Sequence, residues 1–457
     1  MPSNRRLLLA FTVHVGWLCG ATAPAAAEDW RQFRGADGNG VADVELPIEW
    51  SAENAVAWKA PLPGVGWSQP VVTGDRIFVT TAIADDQPKP DPANMGPGVG
   101  GFAGFFASGG GANFKPPDAQ YRWEVLCLDA ANGEVVWEKV AREGRPTIHI
   151  HANNTYASET PATDGERLVA CFGMTGVYCY DLAGELLWSK DLEAHPTQFG
   201  WGTGSSPVIF EDYVYLQCDN DKASLLVALD KRTGDEAWRV ERDELSNWST
   251  PFVWKNKLRT ELVVAGGNRM RSYDPHSGEL LWEMAARGRT AATPTGDAER
   301  LFVDSYNRVT GGNGVMAAIR PGGAGDITLK EKETASDHVA WIASVPGYRI
   351  ASPALAGECL YVVEQGGGIV HCLDAATGKE HFRKRVPDAA GFSASPLVAG
   401  GRVYLVDQRG RTAVIEAGPE LHVLASNDLG EMSWASPAVA GNRLLLRTVE
   451  HLYAIGE

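Results

Sequence analysis

The sequence lacks the cysteine motifs that mark metal ribbons, redox sites and haem attachment. No two of its cysteines form a Cys-x-x-Cys motif, so a zinc ribbon or a redox dithiol is unsupported. No Cys-x-x-Cys-His motif occurs either, which excludes covalent haem attachment. Beyond residue 27 the chain contains six scattered cysteines: Cys127, Cys171, Cys179, Cys218, Cys359 and Cys372.

Positive charge is also scarce. The chain has 41 Lys and Arg residues against 57 Asp and Glu residues, and its formal net charge is −16. Nucleic acid and anionic membranes bind basic surfaces, so the composition disfavours both as partners. No stretch beyond residue 27 is apolar enough to cross a bilayer as a helix, so no transmembrane segment is expected. The oligomeric state stays open.

The first 27 residues are typical of a secretory signal. Arg5 and Arg6 precede a short apolar run that ends at Cys19, and small residues follow up to Ala27. A basic start, a short apolar segment and an alanine-rich exit predict cleavage after Ala27 and export, to the periplasm or out of the cell. A lipoprotein anchor at Cys19 is disfavoured, because a bulky Trp-Leu pair precedes it where small residues are needed.

An exported protein can form disulfides. The segment "ACFGMTGVYCY" predicts a hairpin about Thr175 that places Cys171 opposite Cys179. A bridge between these two cysteines and a pair of free buried thiols both remain open. The strain that cross-strand geometry puts on a disulfide favours the free thiols.

The mature chain is built from one repeated unit. A Ser/Thr-Pro pair opens an alternating apolar run again and again, although Gln69 replaces Ser/Thr in the first copy. Most copies are 41 to 46 residues apart, and the two longer steps each contain an insertion. The prolines that mark the eight copies are Pro70, Pro161, Pro207, Pro251, Pro294, Pro353, Pro396 and Pro437.

Each copy continues with an acidic residue, a glycine turn and a strand that ends in a large ring. Asp caps such a turn through backbone N–H groups, and Gly supplies positive φ. The clearest turns pair Asp129 with Gly133, Asp181 with Gly184, Asp230 with Gly234, Asp274 with Gly278 and Asp374 with Gly378. The rings that follow are Trp137, Trp188, Trp238, Trp282 and Phe382, and we expect each to pack between neighbouring units.

Four short strands in each unit of 40 to 45 residues predict an all-β fold, an eight-bladed β-propeller of four-stranded antiparallel blades. The last unit ends after its third strand. The segment "NAVAWKAPL", with Trp58 at the position of the other rings, can supply the missing strand. We therefore expect residues 55–61 to close the ring on the C-terminal blade. The predicted organisation is a signal at 1–27, an N-terminal extension at 28–54 and one propeller at 55–457.

The Asp-Gly-Trp repeat resembles that of the eight-bladed pyrroloquinoline-quinone-type propeller superfamily, across nearly all of residues 55–457. This superfamily includes quinoprotein alcohol dehydrogenases and the propeller lipoprotein of outer-membrane assembly. Blade 5 departs through a longer turn before Trp341, and blade 7 departs because it has no Trp. The resemblance implies the fold, whereas its members include both catalysts and non-catalysts.

The loops that precede the first strand of each blade are aromatic and polar. In a propeller these loops open on one face, so their rings are expected around the mouth of the central channel. The rings are Trp67, Tyr156, Trp201, Trp248, Tyr348 and Trp434. They either form a platform for a flat cofactor or a sugar, or they plug the channel and pack the blades.

The stretch "HIHANNTYASETP" carries the candidate ligands on the same face. His149 and His151 would share one side of a strand and could bind a transition metal, although no third ligand is evident. Asn153, Asn154 and Glu159 offer oxygen donors of the type that calcium takes. By the resemblance, such residues hold calcium and quinone in the dehydrogenases, which makes Glu159 the best single ion-ligand candidate and adds both asparagines to the cofactor-binding candidates. The alternative is that these side chains satisfy loop backbone groups.

A Gly- and Pro-rich insertion covers residues 84–120 in blade 1. Its composition is typical of a flexible segment. Phe102, Phe105 and Phe106 within it suggest a flap over the channel mouth or a docking segment, and a loop without a role remains an alternative. A smaller insertion at 305–314 is expected on the same face.

These features favour an exported, non-catalytic propeller that binds a protein or a small ligand at the channel mouth in the cell envelope. The adjacent cysteine pair and an identifiable aspartate base, which the resemblance leads one to expect in a quinoprotein dehydrogenase, are both missing. A dehydrogenase of alcohols or sugars that uses pyrroloquinoline quinone and calcium is the first alternative. A carbohydrate-binding propeller is the second.

Overall fold

The computed structural model describes residues 29–87, 89–90, 115–173, 175–286, 288–305 and 314–457. Within these ranges the regular structure is β-strand, apart from a short 3-10 helix at Gln198–Gly200. The strands form eight sheets, each built on four strands. The predicted eight-bladed propeller is confirmed. The predicted signal at 1–27, the three phenylalanines of the blade 1 insertion and residues 306–313 lie outside the described residues.

The first four blades run from the innermost strand outwards in chain order. Blade 1 contains β3 (Val71–Thr73), β4 (Arg76–Ala84), β5 (Tyr121–Asp129) and β6 (Val135–Gly144). Blade 2 contains β7 (Ala162–Thr163), β8 (Arg167–Phe172), β9 (Gly176–Asp181) and β10 (Leu186–Asp191). Blade 3 contains β11 (Val208–Phe210), β12 (Tyr213–Cys218), β13 (Ser224–Asp230) and β14 (Glu236–Arg242). Blade 4 contains β15 (Phe252–Lys255), β16 (Thr260–Val264), β17 (Arg269–Tyr273) and β18 (Leu280–Ala285).

The last four blades include two strands from the N-terminal part of the chain. Blade 5 contains β19 (Thr295–Gly296), β20 (Leu301–Ser305), β21 (Gly314–Ile319) and β23 (Val339–Val345), while β22 (Gly325–Asp326) joins blade 4. Blade 6 contains β24 (Ala354–Ala356), β25 (Cys359–Val363), β26 (Ile369–Asp374) and β27 (Glu380–Arg385). Blade 7 contains β28 (Leu397–Ala399), β29 (Arg402–Val406), β30 (Thr412–Glu416) and β31 (Val423–Asn427), with β1 (Val41–Ala42) beside β28. Blade 8 contains β32 (Ala438–Ala440), β33 (Arg443–Arg447), β34 (His451–Ile455) and β2 (Val56–Pro61).

The ring closes as the sequence predicted. Strand β2 pairs antiparallel with β34, and Trp58 lies opposite Ala454. The Trp58 Nε1 group donates to the Ala130 carbonyl of blade 1 at 3.1 Å. The N-terminal strand thus completes blade 8 and packs it against blade 1.

The conserved spacing of the repeat has a packing reason. Each turn glycine has positive φ, and a Cβ placed on it would collide with the Trp ring of the preceding blade. At Gly133 such a Cβ would lie 2.5 Å from Trp58, and at Gly378 it would lie 2.5 Å from Trp341. The indole N–H then donates to a carbonyl in the same turn, as from Trp137 to Leu182 at 3.0 Å. The Trp ring of one blade therefore packs directly on the turn glycine of the next blade.

Blades 5 and 7 depart from the Asp-Gly-Trp repeat at the positions that the sequence indicated. In blade 5 the connection between β21 and Trp341 is long, and it contains β22, which pairs parallel with β18 of blade 4. In blade 7 the outermost strand β31 carries no Trp, and Phe382 of blade 6 packs in the cluster that includes partly buried Leu421. The propeller tolerates both changes because neighbouring apolar residues fill the space between the blades.

The Ser/Thr-Pro repeat forms a ring of hydrogen bonds around the channel. In blades 2 to 8 the hydroxyl of the residue before proline accepts the backbone N–H of its counterpart in the preceding blade. The donor–acceptor pairs, all N to Oγ, are Gln69 to Thr160, Thr160 to Ser206, Ser206 to Thr250, Thr250 to Thr293, Thr293 to Ser352, Ser352 to Ser395 and Ser395 to Ser436. These bonds satisfy buried N–H groups that the short innermost strands leave without partners.

Gln69 closes this ring with a longer side chain. Its Nε2 group donates to the Pro437 carbonyl of blade 8 at 2.5 Å, and its Oε1 atom accepts the Arg34 N–H at 2.6 Å. A Ser or Thr side chain is too short to make both contacts. The one departure from the Ser/Thr-Pro pattern thus lies where the ring must also hold the N-terminal segment.

Replacing Thr250 by valine tests this ring. In the native protein the buried Ser206 N–H donates to the Thr250 hydroxyl at 3.1 Å. Valine keeps the shape of the side chain but removes this acceptor. We expect the free energy of unfolding to fall by about 1–3 kcal/mol in urea denaturation. Thr334→Val, at an exposed position, is the matched control and should change it by less than about 0.5 kcal/mol. Equal effects of the two variants would contradict the role of the ring.

The N-terminal extension fills the central channel, a position that the sequence did not indicate. Its backbone accepts N–H groups from the innermost strands, from Val72 to Trp30 O at 2.8 Å and from Thr163 to Arg31 O at 2.7 Å. Arg34 is 1 % exposed and donates to the carbonyls of Pro294 and Pro353. We refer to residues 29–42 as the plug. It lets the innermost strands bury their free edges.

The prediction that Cys171 lies opposite Cys179 in the hairpin is wrong. Strand β8 pairs Cys171 with Val177 and Val169 with Cys179, so the two thiols are offset by two residues. The pairing of Phe172 with Gly176 centres the hairpin one residue before Thr175, which shifts each cross-strand partner by two residues. Both cysteines are free and buried, which confirms the favoured of the two predictions.

No helix in the described ranges has the length and apolar character needed to cross a membrane.

Candidate functional site

The loops before the innermost strands lie on one face of the propeller, which we call the upper face. The Asp-Gly turns lie on the opposite, lower face, because strands alternate in direction across each blade. The residues that the sequence singled out all belong to the upper loops. Their geometry decides which of them could receive a ligand.

The predicted ring of aromatic side chains is divided into separate contacts. Trp67 and Trp434 stack with ring centroids 6.2 Å apart, and Trp201 and Trp248 lie 5.4 Å apart. At these separations the rings of each pair touch each other, so neither pair holds an open slot for a flat ligand. Parts of the Trp201, Trp248 and Trp434 surfaces remain exposed.

Tyr156 lies in the interior rather than at the mouth of the channel. It packs against Tyr121 and Trp123 of blade 1, and its hydroxyl donates to the Ile148 carbonyl at 3.0 Å. Burial raises its pKa well above the ordinary range. Tyr348 is half-buried on the upper face of blade 6. Tyr156 therefore joins blades 1 and 2 instead of forming part of a platform.

The two asparagines take part in contacts between the upper loops. Asn154 Nδ2 donates to the Trp201 and Thr203 carbonyls at 2.7 Å and 2.9 Å, and its Oδ1 atom accepts from Thr155 and Ser158. The Asn153 carbonyl accepts the Trp67 indole N–H at 3.1 Å. These contacts tie the upper loop of blade 2 to those of blades 1 and 3.

The two histidines lie in the same loop, and each contacts the backbone through a ring nitrogen. His149 Nδ1 is 2.9 Å from the Gly200 carbonyl. His151 Nδ1 accepts the Asn153 N–H at 3.1 Å, and its ring stands edge-on to Trp201. Each imidazole thus has one ring nitrogen committed to the backbone.

Glu159 lies apart from the histidines, in a pocket between the upper loops of blades 2 and 3. The pocket encloses about 560 Å³, including the part that is open to solvent, and Cys171, Thr203 and Cys218 are among its walls. Glu159 is 2 % exposed, and its Oε1 atom has no hydrogen-bond partner. Of all the sequence candidates, this carboxyl alone combines burial with an unused oxygen, within the part of the chain that is described.

Three further side chains of the pocket contain unpartnered buried atoms. They are Ser205 with its Oγ, Gln217 with its Oε1 and Asn247 with its Nδ2. None of the three was predicted from the sequence. A signal for Gln217 exists in "YVYLQC", where a polar residue interrupts a buried strand, but nothing in the sequence brings Gln217 to Glu159.

Burial controls the protonation of this pocket. Desolvation raises the pKa of Glu159 to about 7, and the nearby Thr203 hydroxyl and backbone N–H groups lower it by a smaller amount. Burial also raises the pKa of Cys218 to about 12, and that of Cys171 well above its usual range. The thiols therefore stay protonated at neutral pH and are poor metal ligands or nucleophiles.

A second acidic side chain lines the pocket, Asp219, and its charge is balanced by an arginine. Asp219 is paired with Arg242 at 2.9 Å, and both side chains are fully buried. Gln217 Nε2 and Arg242 Nη2 occupy the other Asp219 oxygen, at 2.7 Å and 3.2 Å. This cluster holds blade 3 against blade 4, since Gln217 and Arg242 also donate to the Ala265 carbonyl.

The residues present do not fit a calcium and quinone site. Calcium takes six to eight oxygen ligands. Deep in the pocket, Glu159 is the one carboxylate without a counter-ion, because Asp219 is paired with Arg242. No Lys, Arg or Trp lines the pocket to hold an anionic, flat quinone. Across the described residues, no group of three His, Cys, Asp or Glu side chains is arranged to hold a metal ion.

Solved structures with the same fold include BamB and two alcohol dehydrogenases. BamB from Moraxella catarrhalis superposes with a TM-score of 0.53 at 13% identity, over 73% of this chain and 88% of that one. A europium-containing methanol dehydrogenase gives 0.56 at 11% identity, over 93% and 90%. The quinohemoprotein alcohol dehydrogenase ADHIIG from Pseudomonas putida HK5 gives 0.56 at 11%, over 93% and 80%. At such low identity these likenesses show the fold alone.

Sequence comparison gives a more specific result. A search of curated protein sequences finds no match to this chain. The family model described as outer membrane protein assembly factor BamB matches residues 122–253, 222–322 and 325–455. These matches cover most of the propeller, and the chain therefore belongs to this BamB-like family of PQQ-like propellers.

Proposed function

We propose that this protein is an exported, non-catalytic propeller of the cell envelope that binds a protein partner on its upper face. The observation that carries the proposal is that polar groups of the upper loops outside the Glu159 pocket form hydrogen bonds with one another. Asn154 saturates its amide with loop carbonyls, and the Trp67 indole does the same with Asn153. The upper loops thus form a rigid surface, whereas catalysis needs side chains that are free to meet a substrate.

The exposed parts of the aromatic pairs are suited to such a partner. Trp201, Trp248 and Trp434 are each half-buried and each fixed by ring contacts. Rigid aromatic side chains are the residues that contribute most to protein–protein affinity. Membership in a family described by an envelope assembly factor supports the same choice.

Site-specific photo-crosslinking tests the proposal. A photoreactive residue is placed at Phe199 or Tyr348 on the upper face, and at Asn132 or Lys379 in the lower turns as matched controls. We expect the two upper positions to give one and the same crosslinked envelope protein and the lower positions to give none. Crosslinks that do not distinguish the faces would contradict the proposal.

A titration separates the binding role from the dehydrogenase alternative. Residues 28–457 are purified without cofactor and mixed with pyrroloquinoline quinone and calcium, while tryptophan fluorescence and melting temperature are followed. The proposal expects neither saturable quenching nor a rise in melting temperature. A calcium-dependent rise would overturn it in favour of a dehydrogenase, and a response to sugars alone would favour carbohydrate binding.

A further inference from the structure

The pocket between blades 2 and 3 contains more unsatisfied polar atoms than a packed interface should. Glu159, Gln217 and Asn247 are 2 %, 5 % and 4 % exposed, and each has one side-chain atom without a partner. The Ser205 hydroxyl adds a fourth. A buried polar group without a hydrogen bond costs about 1–3 kcal/mol, so this set of four needs an explanation.

The four atoms have a definite chemical pattern. Glu159 Oε1, Gln217 Oε1 and Ser205 Oγ can accept hydrogen bonds, and Asn247 Nδ2 can donate one. No Lys or Arg lines the pocket to pair with the Glu159 carboxyl, and the lining histidine, His195, lies 3.6 Å from Glu193. Glu193 at the rim adds a further acidic side chain, which is exposed. The pocket therefore offers three acceptors and a negative electrostatic environment.

We propose that this pocket binds a small primary ammonium ion, whose three N–H donors meet Glu159, Gln217 and Ser205. An ammonium group has three donors on one nitrogen, which equals the number of unpartnered acceptors. Its charge compensates the buried carboxylate. Asn247 Nδ2 is then available to an oxygen of the same ligand, as in an amino alcohol.

Two glycines of the pocket wall supply matched variants. A Cβ at Gly173 would lie 2.6 Å from both Glu159 Oε1 and Thr203 Oγ1, so Gly173→Ala places a methyl group against the carboxylate. A Cβ at Gly204 would meet nothing closer than 3.8 Å, at Trp248. Neither glycine has a positive φ, so alanine fits both backbones. Gly173→Ala therefore blocks the carboxylate, and Gly204→Ala adds the same methyl group without blocking it.

The test measures ethanolammonium binding to the mature chain by saturation-transfer NMR and calorimetry at about pH 8, where Glu159 is ionised. A ligand of this size is expected to bind with a dissociation constant on the order of 1 mM. Glu159→Gln and Gly173→Ala should each weaken it at least about tenfold. Gly204→Ala should leave it unchanged, and ethylene glycol, which has the size but not the charge, should not bind.

Several results would overturn the assignment. They are equal binding of ethylene glycol, unchanged affinity in Glu159→Gln, or displacement of ethanolammonium by an equal concentration of potassium. Melting temperature and near-ultraviolet circular dichroism verify that each variant is folded. If Gly173→Ala does not fold, Glu159→Gln carries the test alone, because it removes the charge without adding volume.

Discussion

A chain that begins at Leu62 is expected to lose its cooperative unfolding transition. It lacks strand β2, so β34 becomes an open edge and the blade 1 turn loses the Trp58 ring that packs on Gly133. Removing one buried Trp side chain alone costs about 3–5 kcal/mol, and five further strand residues are lost with it. Since a typical domain is stable by only about 5–15 kcal/mol, this loss suffices to unfold the ring.

Two other truncations make the experiment specific. A chain that begins at Asp29 keeps the plug and β2, and it should unfold as the full chain does. A chain that begins at Ser51 keeps β2 but loses the plug, so the innermost strands lose acceptors such as Trp30 O and the Pro294 and Pro353 carbonyls lose Arg34. It should fold with at least about 3 kcal/mol less stability, since each lost bond contributes about 0.5–1.5 kcal/mol.

These stabilities are measured by urea denaturation followed by tryptophan fluorescence and circular dichroism. The expected order is Asp29 start, then Ser51 start, then Leu62 start. A single transition at an unchanged midpoint in the chain that begins at Leu62 would show that blade 8 does not need its N-terminal strand.

Glu159→Gln is expected to stabilise the protein above neutral pH and to leave it nearly unchanged in acid. Desolvation raises the pKa of Glu159 from its ordinary 4.5 to about 7. The stability that this group contributes is thus fully present below about pH 4.5 and is lost as the pH rises through about 7. The loss amounts to about 3 kcal/mol, which the neutral amide of glutamine avoids.

The measurement is the free energy of unfolding of both chains at about pH 4.5, 6 and 8. Other titratable groups face the same pocket: Cys171, Glu193, His195, Cys218 and Asp219. They are common to both chains, so the difference between the chains isolates Glu159. Curves that stay parallel across this range would contradict the raised pKa. A shift of the wild-type curve on adding ethanolammonium would link this titration to the proposed ligand.

The architecture could be predicted because its signals are local and repeated. Turn chemistry at Asp129 and Gly133, and the ring that follows, are properties of a few adjacent residues, and five clear copies reinforce them. The position of Trp58 even predicted which strand closes the ring, as the pairing with β34 confirms. The register of Cys171 and Cys179 was missed because one residue in a loop decides it.

The candidate site was only partly accessible from the sequence. Glu159 was selected for its oxygen donors, and the structure buries it with an unused oxygen. Asn154 looked equivalent, yet its amide is saturated by carbonyls from residues 47 and 49 positions away. Such partners are set by how neighbouring blades pack, which no local pattern encodes.

The sequence by itself determined the number of blades, their strand order and the residue pairs that join them, because each repeat carries its own turn and packing residues. Only the tertiary structure decided which polar groups are left over. It places the plug in the channel, gives Gln69 its two partners and brings Gln217 and Asn247 to Glu159. The reason is that unsatisfied groups are defined by the sum of all neighbours, and those neighbours come from separate blades.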